Sequence, residues 1–429
     1  MRALTGPFRE SREYQEIQEN IEKGRTPVYA DGCIDPQKSH MVYDLSGAFP
    51  YKVIIAENDM RAKEIYEDYR FFDRETIIYP AKDLIFFSAD VHGNLLIRQR
   101  LAAVRKILEG QSVTIITTID AFIDRLMPLD AIKENVINVY IGAILDPEVL
   151  AKRLTGMGFV RTVQVEEPGQ FAIRGGIIDI FNMTDEVPYR VELWDDEVDS
   201  IRSFDAESQR SVENVQAFRI YPAAEHVLTK ARTEAGLKRI KAEAAKQEKK
   251  LAAMDPEKAK RLRRITEEFA ECAIEGSANL NIDSYINYFF DETVSFADYF
   301  EKGETIFWLD EPARLSEHLK AVREEFSEGM KSRLENGYIL KGQADILFRH
   351  EDILHRLEKM TCVMMGSVYA KTGLMQTAAR CHVTTRTISS YGGSFELLVK
   401  ELKNRKKEGY KVLIIAGSAL RAKKLAGDL

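Results

Sequence analysis

Apolar runs and amphipathic stretches alternate through the first 135 residues. The continuous apolar runs predict buried strands, and they occur at 26–30, Tyr51–Ala56, Thr76–Tyr79 and Ser112–Thr117. The amphipathic stretches predict helices at 11–24, Asn58–Phe71 and Gly93–Leu108. Strands that alternate with helices form a parallel sheet covered on both faces. We therefore predict a doubly wound α/β unit over residues 1–135.

The pattern changes between residues 136 and 221. A predicted helix at Pro147–Gly156 is followed by short strands, with turns at Gly169, Gly175-Gly176 and Pro188. Short strands separated by glycine and proline turns are typical of hairpins and mixed sheets. We predict an α+β domain inserted into the parallel-sheet unit.

One strand of this inserted region carries an unusual face. In Tyr189–Trp194 the residues alternate, so Arg190, Glu192 and Trp194 point to one side of the strand and the apolar residues to the other. Trp and Arg dominate the hot spots of protein interfaces, so this face favours partner binding. The alternative is that Trp194 lies under a neighbouring loop.

From residue 222 the chain becomes helical and basic. The stretch Lys230–Arg264 contains 13 Lys and Arg residues against 5 Asp and Glu, and Asp255-Pro256 is expected to divide it into two helices. A charge run of this kind is typical of a solvated helix face. Contact with a DNA phosphate backbone is the alternative interpretation.

An α/β pattern returns near residue 305 and continues to the end of the chain. A strand at Thr305–Leu309 precedes a helix at Arg314–Asn336, so residues 222–380 are predicted to complete the first sheet. The last unit, 381–429, is predicted to contain strands at Val383–Ile388 and Tyr410–Ala416 and helices at Ser394–Lys407 and Ala419–Asp428. One such unit cannot bury its own sheet, so we expect a small, truncated α/β domain and a longer parent protein.

Composition narrows the functional classes. A chain of 429 residues predicts about two to four domains, and the net charge of -7 argues against a protein that coats nucleic acid over its whole surface. No apolar run is long enough for a membrane span and the N-terminus lacks the apolar segment of a signal peptide, so we expect a cytoplasmic protein. The four cysteines and seven histidines show no metal-ligand spacing. We expect buried reduced thiols, structural histidines, no metal site and no catalytic set.

A loop after the first strand resembles a phosphate-binding motif. The fixed positions of G-x-x-x-x-G-K-[ST] are matched by Gly32, Lys38 and Ser39. Gln37 stands where the second glycine would let the backbone approach a phosphate. Pro36 removes an N–H donor and Asp35 adds a negative charge. These three changes oppose nucleotide binding.

An acidic pair follows the strand at Thr305–Leu309. Asp310 and Glu311 occupy positions that would present carboxylates to a magnesium ion and a water molecule. Together with the loop, the pair predicts a degenerate nucleotide site. The fold is therefore predicted to be a RecA-like (P-loop NTPase-like, degenerate) parallel-sheet domain built from two chain segments, with the α+β domain inserted between them.

Several phrases of the sequence resemble the N-terminal part of the bacterial transcription-repair-coupling factors (Mfd), a part that is itself similar to the excision-repair protein UvrB. The most specific phrases are Gly169–Phe181 and Pro188–Arg210, supported by Tyr79–Asp83, Arg98–Leu101, Tyr221–Glu225 and Leu309–Pro312. UvrB is expected to need an intact phosphate loop and a tyrosine-rich hairpin. Gln37 and the absence of a tyrosine cluster after Tyr79 favour the coupling factors.

The resemblance implies a division of labour. The family releases RNA polymerase stalled at DNA lesions and recruits UvrA, and its ATP- and magnesium-dependent motor on double-stranded DNA lies further along the family's chain, as does its polymerase-binding module. This region is then expected to be a non-catalytic, autoregulatory module without a cofactor. The resemblance assigns the UvrA contact to Arg174, Arg190 and Trp194, a surface that the family's C-terminal domain is expected to mask.

Two alternatives remain at this point. One is a UvrB-like ATPase or damage-binding protein that works through Lys38, Ser39, Asp310 and Glu311. The other is a DNA-binding module that uses the helices of Lys230–Arg264.

Overall fold

The computed structural model describes residues 6, 8–82, 94–275, 282–371, 373–385 and 394–429. The strands are β1 (Val28–Asp31), β2 (Tyr51–Ala56), β3 (Ile77–Tyr79), β4 (Val113–Thr118), β5 (Ile137–Tyr140), β6 (Val160–Arg161), β7 (Gln170–Arg174), β8 (Ile177–Ile180), β9 (Tyr189–Trp194), β10 (Glu197–Phe204), β11 (Ser211–Asn214), β12 (Ala217–Ile220), β13 (Thr305–Asp310), β14 (Thr361–Gly366) and β15 (Ala379–His382).

The α-helices of the same ranges are α1 (Arg12–Glu22), α2 (Asp35–Leu45), α3 (Asp59–Tyr69), α4 (Asn94–Leu108), α5 (Asp120–Ile123), α6 (Leu129–Lys133), α7 (Pro147–Gly156), α8 (Lys230–Ala252), α9 (Pro256–Glu275), α10 (Ile286–Phe289), α11 (Pro312–Glu335), α12 (His350–Glu358), α13 (Phe395–Lys407) and α14 (Ala419–Asp428). The break at Pro256 is where the sequence predicts it. No helix within these ranges combines the length and the apolar character needed to cross a bilayer.

Seven parallel strands form the main sheet, in the order β15-β1-β14-β13-β2-β4-β3. The strands come from both chain segments, which confirms the predicted sheet. Alternate residues of β13 enter different cores: Ile306 and Trp308 lie on one face, Phe307 and Leu309 on the other, and all are fully buried. The indole Nε1 of Trp308 donates to Ser46 Oγ at 2.9 Å.

The inserted region contains a separate mixed sheet with the order β11-β10-β9-β8-β7-β6. Only β6 and β7 pair in parallel among its described neighbours. The strands β5 and β12, through which the chain enters and leaves this region, pair antiparallel with each other. The entry and exit segments therefore lie side by side. On its inner face the mixed sheet contributes Ile178, Val191 and Ile201 to the same hydrophobic core that contains buried residues of β1–β4.

The C-terminal part differs from the prediction. The edge strand β15 pairs with β1, whereas 383–385 form no strand and the rest of the predicted strand Val383–Ile388 lies outside the described residues. The predicted strand Tyr410–Ala416 is wrong: Val412, Leu413, Ile414 and Ile415 are 42–58% exposed and unpaired. A strand needs a hydrogen-bonded neighbour, which an apolar run alone does not supply. The two predicted helices are confirmed as α13 and α14.

The cysteines are all free. Cys33, Cys362 and Cys381 are buried, as expected, whereas Cys272 is exposed on α9, which corrects the expectation for that residue. Among the described residues no group of three potential ligands is placed to hold a metal ion.

Candidate functional site

The predicted nucleotide residues meet at the carboxyl edge of the parallel sheet. Because β1 ends at Asp31 and α2 begins at Asp35, only three residues connect them, and Lys38 and Ser39 lie inside the helix, both buried. The ammonium of Lys38 lies 2.6 Å from Asp310 Oδ1 and 2.6 Å from Glu311 Oε1. The structure thus pairs Lys38 with both members of the acidic pair, and Ser39 lines the same small cavity as Lys38 and Asp310.

Arg61 of α3 completes this ion-pair network, which we call the closed site. Its Nε donates to Asp310 Oδ2 at 2.7 Å, and its other guanidinium nitrogens reach Asp35 at 2.6 Å and Glu64 at 3.2 Å. Asp310 is only 2% exposed, so each of its carboxylate oxygens has a cationic partner within the protein. Sequence reasoning missed Arg61, because an arginine one turn into a helix carries no distinguishing signal.

The charge of Lys38 is preserved by its partners. Burial acts to lower the pKa of Lys38, but the attraction of Asp310 and the hydrogen bonds to Asp310 and Glu311 outweigh burial and raise the pKa above its ordinary value. The ammonium therefore stays charged and is neutralised by carboxylates of the same chain. A phosphate arriving at this point would have to displace two carboxylates that are already bonded.

The backbone of the loop is also occupied. Gly32 has φ +80°, and a Cβ there would lie 2.2 Å from the carbonyl oxygen of Val383. Thr385 Oγ1 donates to the Gly32 carbonyl at 2.6 Å, so the segment after β15 lies against the loop. The N–H groups of Cys33 and Lys38 donate to carbonyl groups of the protein. A phosphate loop needs such N–H groups free to face an anion.

An open cleft of about 570 Å³ lies beside the closed site. Four carboxylates line it, from Asp35, Glu57, Glu64 and Glu311, together with Arg61 and Arg314. Arg314 lies 3.4 Å from Glu57, and Arg61 is already paired with Asp35, so neither arginine is free of a carboxylate partner when a phosphate arrives. The excess of negative charge opposes binding of a polyphosphate.

Glu311 holds its position in a strained conformation. Its φ of 47° lies in the left-handed region, which is rare for a residue with a side chain. The strain is offset by contacts: the backbone N–H of Glu311 donates to Met365 O at 2.8 Å, and the backbone N–H of Ser367 donates to Glu311 Oε1 at 3.0 Å. Glu311 is thus fixed by β14 as well as by Lys38.

The second candidate site is the outer face of the mixed sheet at the end of β9. Trp194 is 80% exposed, immediately before a two-residue turn in which Asp195 has φ 61°. Val191 is fully buried on the opposite side of the strand. The predicted alternation is confirmed, and the alternative in which Trp194 lies under a loop is wrong.

Both arginines of this face converge on one carboxylate. Asp179 of β8 is fully buried between β7 and β9, and Arg190 donates to its two oxygens at 2.7 and 2.9 Å. Arg174, from the far side, also donates to Asp179 and reaches the carbonyl of Val163 at 2.8 Å. The side chain of Arg174 is 40% exposed and that of Arg190 only 18%.

Arg190 has further structural contacts. Its guanidinium lies 4.4 Å from the ring centroid of Phe204 and donates to Gln209 Oε1 at 3.2 Å. Sequence reasoning missed Asp179, although a carboxylate within the apolar run Ile177–Ile180 was a signal that a cation must lie opposite. We call the surface formed by Arg174, Arg190, Glu192 and Trp194 the open face.

A buried ionic cluster connects three parts of the chain. Lys82 lies 2.7 Å from Glu225 and 2.6 Å from Asp283, and Arg100 lies 2.8 Å from Glu225 and 3.3 Å from Asp124. Burial raises the pKa of Asp124 to about 7, although Arg100 and Lys82 act in the opposite direction. The cluster joins the first α/β half, the exit of the inserted region and the second half. Lys82, Arg100 and Glu225 lie in phrases that carry the family resemblance, but nothing in the sequence indicated that they meet.

The inserted region and the chain as a whole are similar to known proteins. A family model described as the UvrB interaction domain matches residues 137–226. The chain is 30% identical to the transcription-repair-coupling factor of Bacillus subtilis (strain 168), covering 88% of this chain and 32% of that protein. It is 22% identical to the transcription-repair-coupling factor of Staphylococcus aureus (strain Mu50 / ATCC 700699), covering 100% of this chain and 36% of that protein. The chain thus spans about a third of the length of the curated relatives that it matches.

Proposed function

We propose that this chain, an N-terminal region of the transcription-repair-coupling factor family, recruits UvrA through the open face of its UvrB interaction domain. The observation that carries the proposal is the exposure of Trp194: a large aromatic side chain, 80% exposed, at the end of β9, on the same face as Arg190 of β9 and Arg174 of β7, which both bind the buried Asp179. Exposed aromatic side chains beside arginine are the residues that most often dominate binding energy.

The ion pairs beneath the surface prepare it for binding. Arg190 and Arg174 share Asp179, so their guanidinium groups keep fixed positions before a partner arrives. Preorganised groups lose little conformational entropy on association. Arg174 offers the more exposed cation and Trp194 supplies the apolar contact. Arg190 acts mainly by binding Asp179, which holds Arg174 in place. A partner surface with an apolar pocket bordered by carboxylates would match this arrangement.

In the longer parent protein, this recruitment would serve the coupling of transcription to repair. We infer that the parent displaces RNA polymerase stalled at lesions with an ATP- and magnesium-dependent motor on double-stranded DNA outside the present chain. The same inference includes masking of the open face by a C-terminal domain until UvrA is needed. The closed site supports a non-catalytic role for this region, because its lysine and acidic pair neutralise each other.

Affinity for UvrA tests the docking proposal. We expect Trp194→Ala to weaken binding of the 429-residue chain by about 2 kcal/mol, roughly 30-fold, without affecting its stability. The matched control is Tyr140→Ala, an aromatic residue of the same domain that is 54% exposed on β5. The control is expected to bind within about twofold of wild type, as scattered exposed apolar residues usually do. Equal binding by wild type and Trp194→Ala would sink the proposal.

The alternative of a UvrB-like ATPase is tested separately. Titration with a fluorescent ATP analogue is expected to give no micromolar binding, because Lys38 and Arg61 are already paired with carboxylates of the same chain. Micromolar binding that disappears in Lys38→Ala would restore the enzymatic alternative.

A further inference from the structure

The outer side of α8 carries a row of lysines that the docking proposal does not use. Lys238, Lys241 and Lys249 project from one side of the helix, and all three are exposed. The opposite side packs inward through Gly236, Ile240, Ala244 and Leu251. We call the three lysines with Ala242 and Ala245 the lysine stripe. At a rise of 1.5 Å per residue, the lysine stripe is about 16 Å long from Lys238 to Lys249.

Two of the three acidic residues of the same helix are engaged with other parts of the protein. Glu243 accepts from Tyr288 Oη at 2.9 Å and from the Gly342 N–H at 3.0 Å. Glu248 pairs with Arg263 of α9. In the part of the chain that the structure describes, none of the stripe lysines forms an ion pair. Glu234, one turn before Lys238, is the acidic residue that borders the stripe on its N-terminal side.

The basic residues of the neighbouring helix α9 are mostly engaged. Arg261 donates to the Asn336 carbonyl at 2.7 Å, Lys260 pairs with Glu257 at 2.7 Å and Arg264 lies 3.7 Å from Glu268. The 13 cations of this region therefore include several that are already engaged and, among the described residues, lysines without an ion pair, three of which form the stripe. A solvated helix face typically mixes both charges, whereas this stripe concentrates one sign on a chain of net charge -7.

The shape of the stripe indicates the kind of partner. Ala242 and Ala245 are exposed between the lysines, so a rigid surface can approach the helix closely while the lysines reach around it. The helix contains no aromatic residue on which unpaired bases could stack. We propose that the lysine stripe binds the phosphate backbone of double-stranded DNA without reading its sequence, a contact independent of UvrA docking.

The proposal makes a quantitative prediction about salt. Three neutralised phosphates give a log–log slope of affinity against salt of about -2.7, which is a roughly 40-fold loss between 50 and 200 mM salt. The probe is a fluorescein-labelled 30-base-pair duplex of mixed sequence, titrated with the 429-residue chain. We expect the triple variant Lys238→Glu, Lys241→Glu, Lys249→Glu to lose at least tenfold in affinity at 50 mM salt.

A matched variant separates the stripe from overall charge. Lys63→Glu, Lys133→Glu, Lys331→Glu changes the net charge by the same amount at three scattered exposed lysines, and it is expected to bind within about threefold of wild type. Circular dichroism of both variants checks that the helices are retained. UvrA binding by the stripe variant is expected to match that of wild type, which keeps this test distinct from the docking test.

Several outcomes would overturn the proposal. They are undetectable duplex binding by the wild-type chain at 50 mM salt, equal losses in the two triple variants, and an unchanged affinity in the stripe variant. Displacement of the duplex by polyglutamate as effectively as by unlabelled duplex would show that the stripe does not prefer DNA to an acidic polypeptide, and it would overturn the assignment to DNA.

Discussion

The closed site and the open face both consist of cations gathered around a buried carboxylate, yet they differ in what remains exposed. In the closed site Lys38 and Arg61 bind Asp310, and the carboxylates of Glu311 and Asp35 complete the set. In the open face Arg174 and Arg190 bind Asp179, but Trp194 stays in solvent. Where ion pairs engage every charged group, as in the closed site, no group remains to bind a ligand. Where ion pairs lie beneath an exposed aromatic side chain, as in the open face, that side chain remains available to a partner.

The largest effect is expected from opening the closed site. Lys38→Met should destabilise the fold by about 3 kcal/mol, because Lys38 is the buried partner of both Asp310 and Glu311 and only Arg61 would remain beside Asp310. Urea unfolding at pH 7 measures the loss. The double variant Lys38→Met, Asp310→Asn should recover part of it, since the uncompensated charge is gone. A loss below about 1 kcal/mol in the single variant would mean that Arg61 alone satisfies the acidic pair.

An intermediate effect is expected beneath the open face. Arg190→Ala should cost about 2 kcal/mol of stability, because Asp179 is fully buried and loses two charge-assisted hydrogen bonds. Arg174→Ala should cost less, about 1 kcal/mol, since Arg174 is more exposed and Arg190 still binds Asp179. Parallel urea curves for the two variants test this order. Equal losses would show that the two arginines share the support of Asp179 evenly.

The smallest effect concerns pH at the carboxyl edge of the parallel sheet, close to the closed site. His318 of α11 lies 2.8 Å from Asp120, and this hydrogen bond raises the pKa of His318 above its ordinary value. A raised folded-state pKa gives stability that is fully present below the unfolded value of about 6.5 and is lost as pH rises through the folded value. The contribution should stay below about 1 kcal/mol, because the pair is partly exposed.

Comparison of wild type with His318→Gln at pH 5.5 and 8.5 measures this contribution. The difference in unfolding free energy between the two proteins is expected to be larger at pH 5.5. A difference that grows toward pH 8.5 would reverse the sign and contradict the assignment. Such a result would also mean that the hydrogen bond between His318 and Asp120 does not stabilise the carboxyl edge of the sheet.

Sequence patterns predicted the features that depend on local periodicity. The exposure of Trp194 follows from the period of two along β9, and the meeting of Lys38 with Asp310 follows from parallel strands that end at one edge. Pairings across distant segments were not predictable. Nothing near Arg61, Asp179 or Arg100 in the sequence specifies which of the many acidic or basic residues each will meet.

The failed strand Tyr410–Ala416 has a related cause. Its apolar pattern is as strong as that of β2. A strand, however, forms only where its backbone groups are hydrogen-bonded to a neighbouring strand, so the sequence of one segment does not determine it. The less apolar segment Ala379–His382 does form a strand, since β1 lies beside it and Asp31 binds Arg380 and His382. Whether a neighbouring strand pairs with the segment therefore explains both the strand at Ala379–His382 and the failed prediction at Tyr410–Ala416.

The placement of the two tryptophans gives the protein a pair of separate optical reporters. Trp308 is the fully buried indole of β13, and Trp194 is the exposed indole of the open face. Iodide reaches only an exposed indole, so quenching isolates the emission of Trp194, and the emission that resists quenching belongs to Trp308. One unmodified sample can then report unfolding of the parallel sheet and occupation of the open face at the same time, without an attached dye.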